Sequence, residues 1–512
     1  MEFQLGIGII YLKIKENECD EITIEKEMIQ PAKFQSALTN SNQILIIFFG
    51  TFLFLVLAIW NGFPFIFTDT LSYITSGIEL IAPFDRPIFY GLFIRATGAI
   101  VKVWGEAIFQ SALLSILLLK LSNILFPKMP KGYLYLWFVL IALFTSVPWF
   151  VGQISPDIFT PILFLALIIW ALIFQESKIF NSIFIGAVIT LSICVHSSNL
   201  LIGALTSIAI TFWLVFQGIP WVALRKFVMV LGVSLFAAIF LIIPSNIWSH
   251  YGVTLNPTGK VFILARMLED GPGLKYLRDI CTSSELKTCA SLPILEKARL
   301  VEVQDPDSKS PELRNLVASS FLWGGGLALS GGIFSVNSEA GTIIKGALKT
   351  YPLEQIGALI RNMSNQLITF SVGEQLNSTL KMEAINQLFS IHFPELYTSY
   401  LNSQQSLGKI KEGTLFLNPI YFYVVIFSTI SLLGYSLFLM RSAISHKELS
   451  LTIYSLFVFL LTNALVSGGL SGVFDRYQSR VVWLLPAICI LLMLGLLNTA
   501  KNSDNDINTV TR

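Results

Sequence analysis

Ten long apolar segments, separated by short polar stretches, constrain this chain more than any other feature. A helix needs about 20 apolar residues to cross the hydrocarbon core of a bilayer, and continuous rather than alternating apolar runs favour helices over strands. The chain is 54% hydrophobic and 13% charged over 512 residues, which is more apolar surface than a soluble fold of this size can bury. The sequence therefore predicts an all-α polytopic membrane protein with about ten transmembrane helices. The predicted spans are 44–62, 106–126, 133–151, 157–175, 180–195, 198–217, 225–246, 418–440, 450–469 and 480–499.

The charged residues between these spans divide by sign between the two sides of the membrane. Short loops on one side carry lysine and arginine, whereas the acidic residues near span ends lie on the other side. Because short cytoplasmic loops are enriched in Lys and Arg, this division predicts a multi-pass protein of the cell (inner) membrane with both termini in the cytoplasm. The basic loop residues are Lys128, Lys131, Lys178, Arg225, Lys226, Arg441, Lys447 and Lys501.

This topology divides the chain into five regions. They are a cytoplasmic tail (1–43), a transmembrane core (44–246) with a first external loop at 63–105, an external or periplasmic loop domain (247–417), C-terminal transmembrane helices (418–499) and a cytoplasmic tail (500–512). Charges interrupt the apolar runs of the first external loop, which predicts short helices along the membrane interface. A formal net charge of +2 gives no reason to expect a nucleic-acid partner.

Two of the five cysteines lie close together in the predicted external domain. Cys281 and Cys289 flank the short polar stretch of CTSSELKTC. Outside the cytoplasm such a pair can form a disulfide that closes a small loop, and the alternative is two free thiols. The disulfide predicts a separation between the two Cα atoms of less than about 7 Å.

Three polar residues near span ends are candidates for chemistry. Asp69, in NGFPFIFTDTLSY, is either a general base or metal ligand, or a solvated loop acid. Asp157, in QISPDIFTPILFLAL, lies where a helix begins, and there an acid also stabilises the positive end of the helix dipole. His196 lies between two spans and is either a functional histidine or a packing residue at the membrane boundary.

The entrance to the last span carries two arginines and a tyrosine. Arg476, Tyr477 and Arg480 lie in SGVFDRYQSRVVWLLPA. Arginine binds phosphate with paired hydrogen bonds at sites of low dielectric, so these residues are candidates for a clamp on a lipid phosphate. The alternative is a pair of interfacial anchors. No P-loop, GxGxxG, HExxH or CxxC pattern is present.

Three segments together resemble the GT-C superfamily of membrane glycosyltransferases, which includes protein O-mannosyltransferases and lipid A aminoarabinose transferases. DTLSYITSGIELIAPFDRPIFYGLFI is similar to the family's first external loop, SPDIFTPILFLALIIWAL resembles the entrance to its fourth span, and DRYQSRVVWLLPAICILL resembles its late helix. The matching positions are Asp69, Tyr73, Arg86, Pro87, Tyr90, Asp157, Arg476, Tyr477 and Pro486.

The resemblance implies a GT-C-like fold and transfer of a sugar from a polyprenyl-phosphate donor to a lipid, glycan or protein acceptor on the external face of the membrane. Asp69 would deprotonate or orient the acceptor hydroxyl, and Arg476, with Arg480, would hold the leaving phosphate. The family often has a paired acid where Thr70 follows Asp69, so the need for a divalent metal is left open, and no other cofactor is implied. The further residues expected at the substrate are Tyr73, Asp85, Arg86, Tyr90, Asp157, His196 and Tyr477.

Two other functions stay open at this point. A lipid or polysaccharide transporter or flippase would need polar residues along a path through the helices. An O-antigen-ligase-like enzyme would place its chemistry in the long loop, where Arg266, Arg278 and His392 are the candidate residues.

Overall fold

The computed structural model describes residues 41–304, 315–374, 376, 382–441 and 446–510. Most of the predicted N-terminal tail (residues 1–40), with Cys19, and residues 511–512 of the C-terminal tail lie outside these ranges. Throughout the described residues the secondary structure is helical, and the β-type pairing there is one isolated bridge between Phe65 and Gln153. The predicted all-α class is therefore confirmed.

Between residues 41 and 256 the chain forms ten α-helices. They are α1 (Ser41–Asn61), α2 (Thr70–Glu79), α3 (Phe89–Val101), α4 (Gly105–Leu125), α5 (Lys131–Phe144), α6 (Val147–Val151), α7 (Phe159–Ile173), α8 (Ile179–Val195), α9 (Ser198–Phe216) and α10 (Trp221–Trp248). A short 3-10 turn at Pro156–Ile158 precedes α7.

The second half adds thirteen more helices within the described ranges. They are α11 (Gly259–Asp270), α12 (Pro272–Ile280), α13 (Leu292–Gln304), α14 (Leu316–Leu322), α15 (Gly326–Leu329), α16 (Ile333–Thr350), α17 (Pro352–Ile368), α18 (Met382–His392), α19 (Pro394–Leu401), α20 (Ile410–Arg441), α21 (Lys447–Leu470), α22 (Asp475–Val482) and α23 (Leu484–Val510).

Eight helical segments of the described chain are long and apolar enough to cross a membrane. They are α1, α4, α7, α9, α10, α20, α21 and the consecutive pair α22–α23. Two further predicted spans contain shorter apolar helices, α5 with 14 residues and α8 with 17. The span predicted at 133–151 is interrupted, because Thr145 is extended and Pro148 lies in the first turn of the separate helix α6.

Helix α7 is the centre of the membrane-helix bundle. Its residues from Phe159 to Ala171 are all buried, and the central core surrounds it on every side. Buried tryptophans nearby have hydrogen-bond partners, since Trp137 Nε1 donates to the Ala487 carbonyl at 2.8 Å and Trp170 Nε1 to the Phe227 carbonyl at 3.2 Å. A buried indole N–H without a partner would cost free energy, so these bonds fix how the neighbouring helices pack.

Residues 247–417, which we call the loop domain, contain a second hydrophobic core built from α11–α14 and α16. Cys281 and Cys289 form a disulfide in this part, with Cα atoms 5.5 Å apart, as the sequence predicted. Helices α18 and α19 belong instead to the core of the bundle, through Leu388, Phe389 and Tyr400.

The first loop, residues 63–105, forms the short helices α2 and α3, as expected from its interrupted apolar runs. These helices cross at two glycines. A Cβ atom added to Gly77 would lie 2.4 Å from the Gly91 carbonyl oxygen, and one added to Gly91 would lie 2.3 Å from Ser76 Oγ. The close crossing sets the relative position of the two helices whose ends carry the candidate site residues.

Candidate active site

Backbone hydrogen bonds between two loops bring the segments that carry Asp69 and Asp157 together. The Phe65 N–H donates to the Gly152 carbonyl at 2.8 Å, and the Ile154 N–H donates to the Phe65 carbonyl at 3.0 Å. The buried Thr70 hydroxyl donates to the Ile154 carbonyl at 2.8 Å. These bonds fix the segment before α2 against the segment before α7, so Asp69 and Asp157 lie at the same end of the bundle.

The Asp69 carboxylate lies between two guanidinium groups. Asp69 Oδ2 is 3.2 Å from Arg86 Nη1 and 3.6 Å from Arg476 Nη1. Asp69 occupies the residue before α2, but its side chain makes no capping hydrogen bond there. The side chain is 24% exposed, and the two guanidiniums stabilise its charged form.

Asp85 and Arg86, which are adjacent in sequence, form an ion pair. Arg86 Nε donates to Asp85 Oδ1 at 3.0 Å, and Nη2 donates to Oδ2 at 2.6 Å. Such paired bonds fix the plane of a guanidinium. Asp85 thereby holds Arg86 with its remaining nitrogen toward Asp69.

The guanidinium of Arg86 packs on Tyr73, which in turn packs on Tyr90. The guanidinium lies 5.0 Å from the centre of the Tyr73 ring, and the Tyr73 ring meets the Tyr90 ring edge to face at 5.0 Å. Burial raises the pKa of Tyr73, although the charge of Arg86 opposes this shift. Tyr73 is therefore a neutral phenol at ordinary pH, and its ring packs against Arg86 and Tyr90.

Arg476 is 19% exposed, close to the 17% of Arg86. Its guanidinium lies 4.3 Å from the centre of the Phe67 ring and 4.9 Å from that of Tyr477, and its backbone N–H donates to Glu374 Oε2 at 2.9 Å. Arg476 lines a cleft that also has aromatic and polar walls. The other lining residues are Phe67, Trp149, Phe150, Gln153, Ser371, Val372, Gly373, Glu374 and Leu376.

Arg480, by contrast, is fully buried and already paired. Its Nη1 donates to Asp157 Oδ1 at 2.8 Å, and its Nη2 donates to Asn463 Oδ1 at 3.1 Å and to Ser467 Oγ at 3.3 Å. Asp157 also accepts a hydrogen bond from Ser155 Oγ at 3.0 Å. The pair therefore fastens the start of α7 to α21 and α22, and any ligand would have to displace these bonds to reach Arg480.

The half-buried His196, whose side chain is 21% exposed, lies beside this pair in its neutral form. Its Nε2 lies 3.1 Å from Arg480 Nη1, and its Nδ1 lies 2.8 Å from Ser198 Oγ and 3.4 Å from the Ser198 backbone nitrogen. Burial, and then the charge of Arg480, lower the pKa of His196 to about 3, against the opposing effect of Asp157. The histidine is therefore uncharged at physiological pH.

A single tyrosine joins the two ion-pair groups. Arg476 Nη2 lies 3.4 Å from Tyr477 Oη, and the Arg480 guanidinium lies 5.2 Å from the centre of the same ring. All ten residues that the sequence analysis expected at a substrate site therefore lie in one connected cluster. They are Asp69, Tyr73, Asp85, Arg86, Tyr90, Asp157, His196, Arg476, Tyr477 and Arg480.

Residues of the loop domain position this cluster, and the sequence analysis missed them. Gln366 pairs with the backbone of Phe474, donating to its carbonyl at 2.8 Å and accepting from its N–H at 3.0 Å. Asn315 Nδ2 donates to the Val473 carbonyl at 3.1 Å. Together with Glu374, these side chains hold the beginning of α22, which carries Arg476. Their sequence surroundings contain no motif, so only the tertiary structure could reveal them.

The residues proposed for a ligase-like site in the long loop do not form such a cluster. Arg266 is buried and pairs with Asp270 and with Asn315 Oδ1, and Arg278 pairs at the surface with Glu296. These arginines belong to the loop domain, whereas His392 ends α18, which packs on the bundle.

The cluster contains three arginines and three aspartates, and each arginine lies within ion-pair distance of an aspartate. Within the part of the chain that the structure describes, no three or more His, Cys, Asp or Glu side chains lie together as a metal-ion site. No family model, curated protein or solved structure matches the chain. The possible functions therefore follow from the geometry of this cluster.

Proposed function

We propose that the protein is a membrane glycosyltransferase that moves a sugar from a polyprenyl-phosphate donor to a lipid, glycan or protein acceptor on the external face of the membrane. The observation that carries this proposal is the position of Arg476. Arg476 lines a cleft at the end of the helix bundle, and its guanidinium lies beside the Asp69 carboxylate. This pair supplies a cation for a phosphate and an oxygen acceptor for a hydroxyl within one small space.

The reaction needs both groups. The acceptor hydroxyl oxygen attacks the anomeric carbon of the sugar, the bond from that carbon to the donor phosphate oxygen breaks, and polyprenyl phosphate leaves with the bonding electron pair. The hydroxyl proton passes to Asp69, which acts as the general base. Arg476 stabilises the negative charge that grows on the leaving phosphate.

Phosphate binding and the state of Asp69 are coupled in this proposal. Before the donor binds, Arg86 and Arg476 both contact the Asp69 carboxylate. A donor phosphate competes for Arg476, after which Asp69 retains Arg86 and can accept a hydrogen bond from the acceptor hydroxyl. The buried pair of Asp157 and Arg480 maintains the shape of the site rather than contacting the substrate.

The connectivity of the cluster supports ten membrane crossings. Asp69 follows α1 and Asp157 precedes α7, yet both belong to one cluster at the same end of the bundle. Since α4 crosses between them, α5 must return the chain to that end. The same reasoning applies to α8, which must bring the chain from the far end of α7 back to His196. At 1.5 Å per residue α5 and α8 are about 21 Å and 26 Å long, short but close to the hydrocarbon thickness.

The orientation of the bundle is tested separately. The lysine and arginine bias of the opposite loops supports a cytoplasmic location for both termini and an external location for the site. Reporter fusions at residues 130, 222 and 330 should give internal, internal and external signals. An external signal at 130 or 222, or an internal signal at 330, contradicts the orientation.

The transporter alternative receives no comparable support. The central helix α7 is buried along its length by apolar residues with the exception of Thr160 near its beginning. Beyond Thr160, the side chains of α7 offer a polar solute only apolar groups and the Trp170 indole N–H, which already donates to the Phe227 carbonyl, so desolvation along α7 would oppose its passage.

Binding of polyprenyl phosphate tests the proposal without knowledge of the sugar. The purified full-length protein in nanodiscs should bind this lipid, and Arg476→Gln should weaken binding at least about tenfold, the equivalent of 1.4 kcal/mol. Arg278→Gln is the matched control, because it removes the same charge from an exposed pair in the loop domain. Equal affinities for the wild type and both variants would show that the lipid phosphate does not bind at Arg476.

A further inference from the structure

Helix α17 of the loop domain exposes large apolar side chains beside the polar Arg361, Ser364 and Asn365, and it buries two polar ones. Its exposed face carries Leu353, Ile356, Ile360 and Ile368, which are 81%, 53%, 55% and 73% exposed. The opposite face buries Asn362 and Gln366. A helix on a soluble domain normally turns its apolar residues inward and its polar residues outward. Polar groups inside and large apolar groups outside are typical of a helix bordered by lipid.

Close packing against a membrane helix places α17 beside the bundle. A Cβ atom added to Gly468 would lie 2.7 Å from Gln366 Cβ and 2.8 Å from the Asn362 carbonyl oxygen, and one added to Gly469 would lie 2.4 Å from a Leu359 methyl group. Both glycines are near the end of α21, one of the helices able to cross the membrane. The two helices therefore touch backbone to backbone at the site end of the bundle.

The C-terminal end of α17 continues onto a second membrane helix. Phe370 stacks on Phe422 of α20 with ring centres 5.7 Å apart, and the Val372 N–H donates to Asn418 Oδ1 at 2.8 Å. Further along α20, Tyr423 and Phe427 are exposed, as expected for lipid-facing residues. The apolar face of α17 is thus continuous with the lipid-facing surface of the bundle.

The N-terminal end of α17, in contrast, is fastened to the polar part of the loop domain. Glu354 pairs with Lys275 at 2.6 Å, and Gln355 Nε2 donates to Asp270 Oδ2 at 2.9 Å. The helix therefore descends from the loop domain toward the membrane, over about 25 Å for its 17 residues.

We infer that α17 lies against the membrane, with its apolar face in the lipid of the leaflet on the site's side and its C-terminal end deepest. The occupant of this face is lipid rather than a second copy of the chain, because Phe370 joins the face to that of α20 and the one serine within it, Ser364, donates its hydroxyl proton to the Ile360 carbonyl at 2.9 Å. The loop domain is then seated in the bilayer surface. Since Gln366 on the same helix holds Phe474, this seating also fixes the level of Arg476 relative to the lipid headgroups.

Site-directed spin labelling of the full-length protein in nanodiscs tests this inference. Single cysteines at Leu353, Ile356, Ile360 and Ile368 are labelled in a background in which Cys19, Cys194 and Cys489 are serine and the disulfide is retained. Collision with oxygen, which concentrates in lipid, is compared with collision with a water-soluble nickel chelate. Ser338→Cys, exposed on α16, is the aqueous control, and Phe427→Cys on α20 is the lipid control.

The oxygen-to-nickel accessibility ratio should rise from Leu353 to Ile368, and at Ile360 and Ile368 it should exceed the Ser338 value severalfold. Ratios equal to the aqueous control at all four positions would show that the face is in water and overturn the inference. Low accessibility to both reagents, with spin–spin broadening between labels on different molecules, would identify a second copy as the occupant and would also overturn it. The measurement involves no sugar transfer, so its outcome is independent of the proposed enzymatic function.

Discussion

The buried pair of Asp157 and Arg480 gives a quantitative test of how the site is held together. The Arg480 guanidinium is fully buried, and the Asp157 side chain is only 4% exposed. Removing one member of such a pair leaves an uncompensated charge in a medium of low dielectric, which costs about 3–5 kcal/mol. We therefore expect Arg480→Gln to lower the free energy of unfolding by about that amount.

A double-mutant cycle separates the ion pair from the other contacts of Arg480. Asp157→Asn removes the charge of its partner while keeping the side-chain shape, and the double variant leaves neither charge in the interior. The loss in the double variant should be smaller than the sum of the two single losses by at least about 1 kcal/mol, within the range found for residues in direct contact. The free energies can be measured by titrating the detergent-solubilised protein with SDS and following tryptophan fluorescence.

The surface pair of Arg278 and Glu296 provides the control cycle. These side chains are 48% and 32% exposed, and exposed pairs contribute at most about 1 kcal/mol. Additivity of Asp157→Asn and Arg480→Gln within about 0.5 kcal/mol, or a loss from Arg480→Gln no larger than that from Arg278→Gln, would refute the reasoning.

Three further outcomes follow from local features of the fold. Gly91→Ala should lower the free energy of unfolding by about 1–3 kcal/mol, because the new Cβ would lie 2.3 Å from Ser76 Oγ. Gly98→Ala on the same helix is the control, since no atom lies within 4 Å of its new methyl group, and it should be neutral or stabilising. The SDS titration distinguishes the two variants, and equal effects would contradict the close crossing of α2 and α3. Replacing Cys281 and Cys289 by serine should destabilise the loop domain by about 2–3 kcal/mol. In the wild type, an alkylating reagent should modify these cysteines only after reduction, as detected by mass spectrometry. Alkylation of both thiols without reductant would refute the pairing. Burial raises the pKa of Glu269 to about 7, so the folded protein retains a proton that the unfolded chain releases from about pH 4.5. This group's contribution to stability should therefore fall as pH rises from about 4.5 to 7. The difference in unfolding temperature between pH 5 and pH 8 should be smaller in Glu269→Gln than in the wild type, and an unchanged difference would contradict the shift.

Much of the helical architecture could be predicted because long apolar runs leave few alternatives in a membrane. The interruption at Thr145 was missed, since a hydropathy pattern does not report a single extended residue between two apolar helices. The α17 face was also missed, because its apolar residues alternate with polar ones and read as part of a soluble domain.

In the candidate site, too, some residues could be identified from the sequence, whereas their contacts could not. Asp69, Asp157 and Arg476 could be selected because charges are rare at span ends and their loops fall on one side. Their partners could not be assigned, because pairs such as Asp157 and Arg480 are separated by 323 positions along the chain. Glu374 and Gln366 act through a tertiary contact with the start of α22, and their sequence surroundings give no signal for that contact.

The central claim is that Asp69 and Arg476 form the catalytic part of a sugar-transfer site, and Asp69→Asn tests it most directly. This substitution keeps the side-chain shape and removes its charge and basicity. Transfer of labelled sugar from a lipid-linked donor should fall at least about 100-fold, the lower range for loss of a general base, while the amount of folded protein in the membrane stays unchanged. Asp85→Asn, which alters the support of Arg86 rather than the proposed base, should have a smaller effect. Transfer by Asp69→Asn at a rate near that of the wild type would contradict the account.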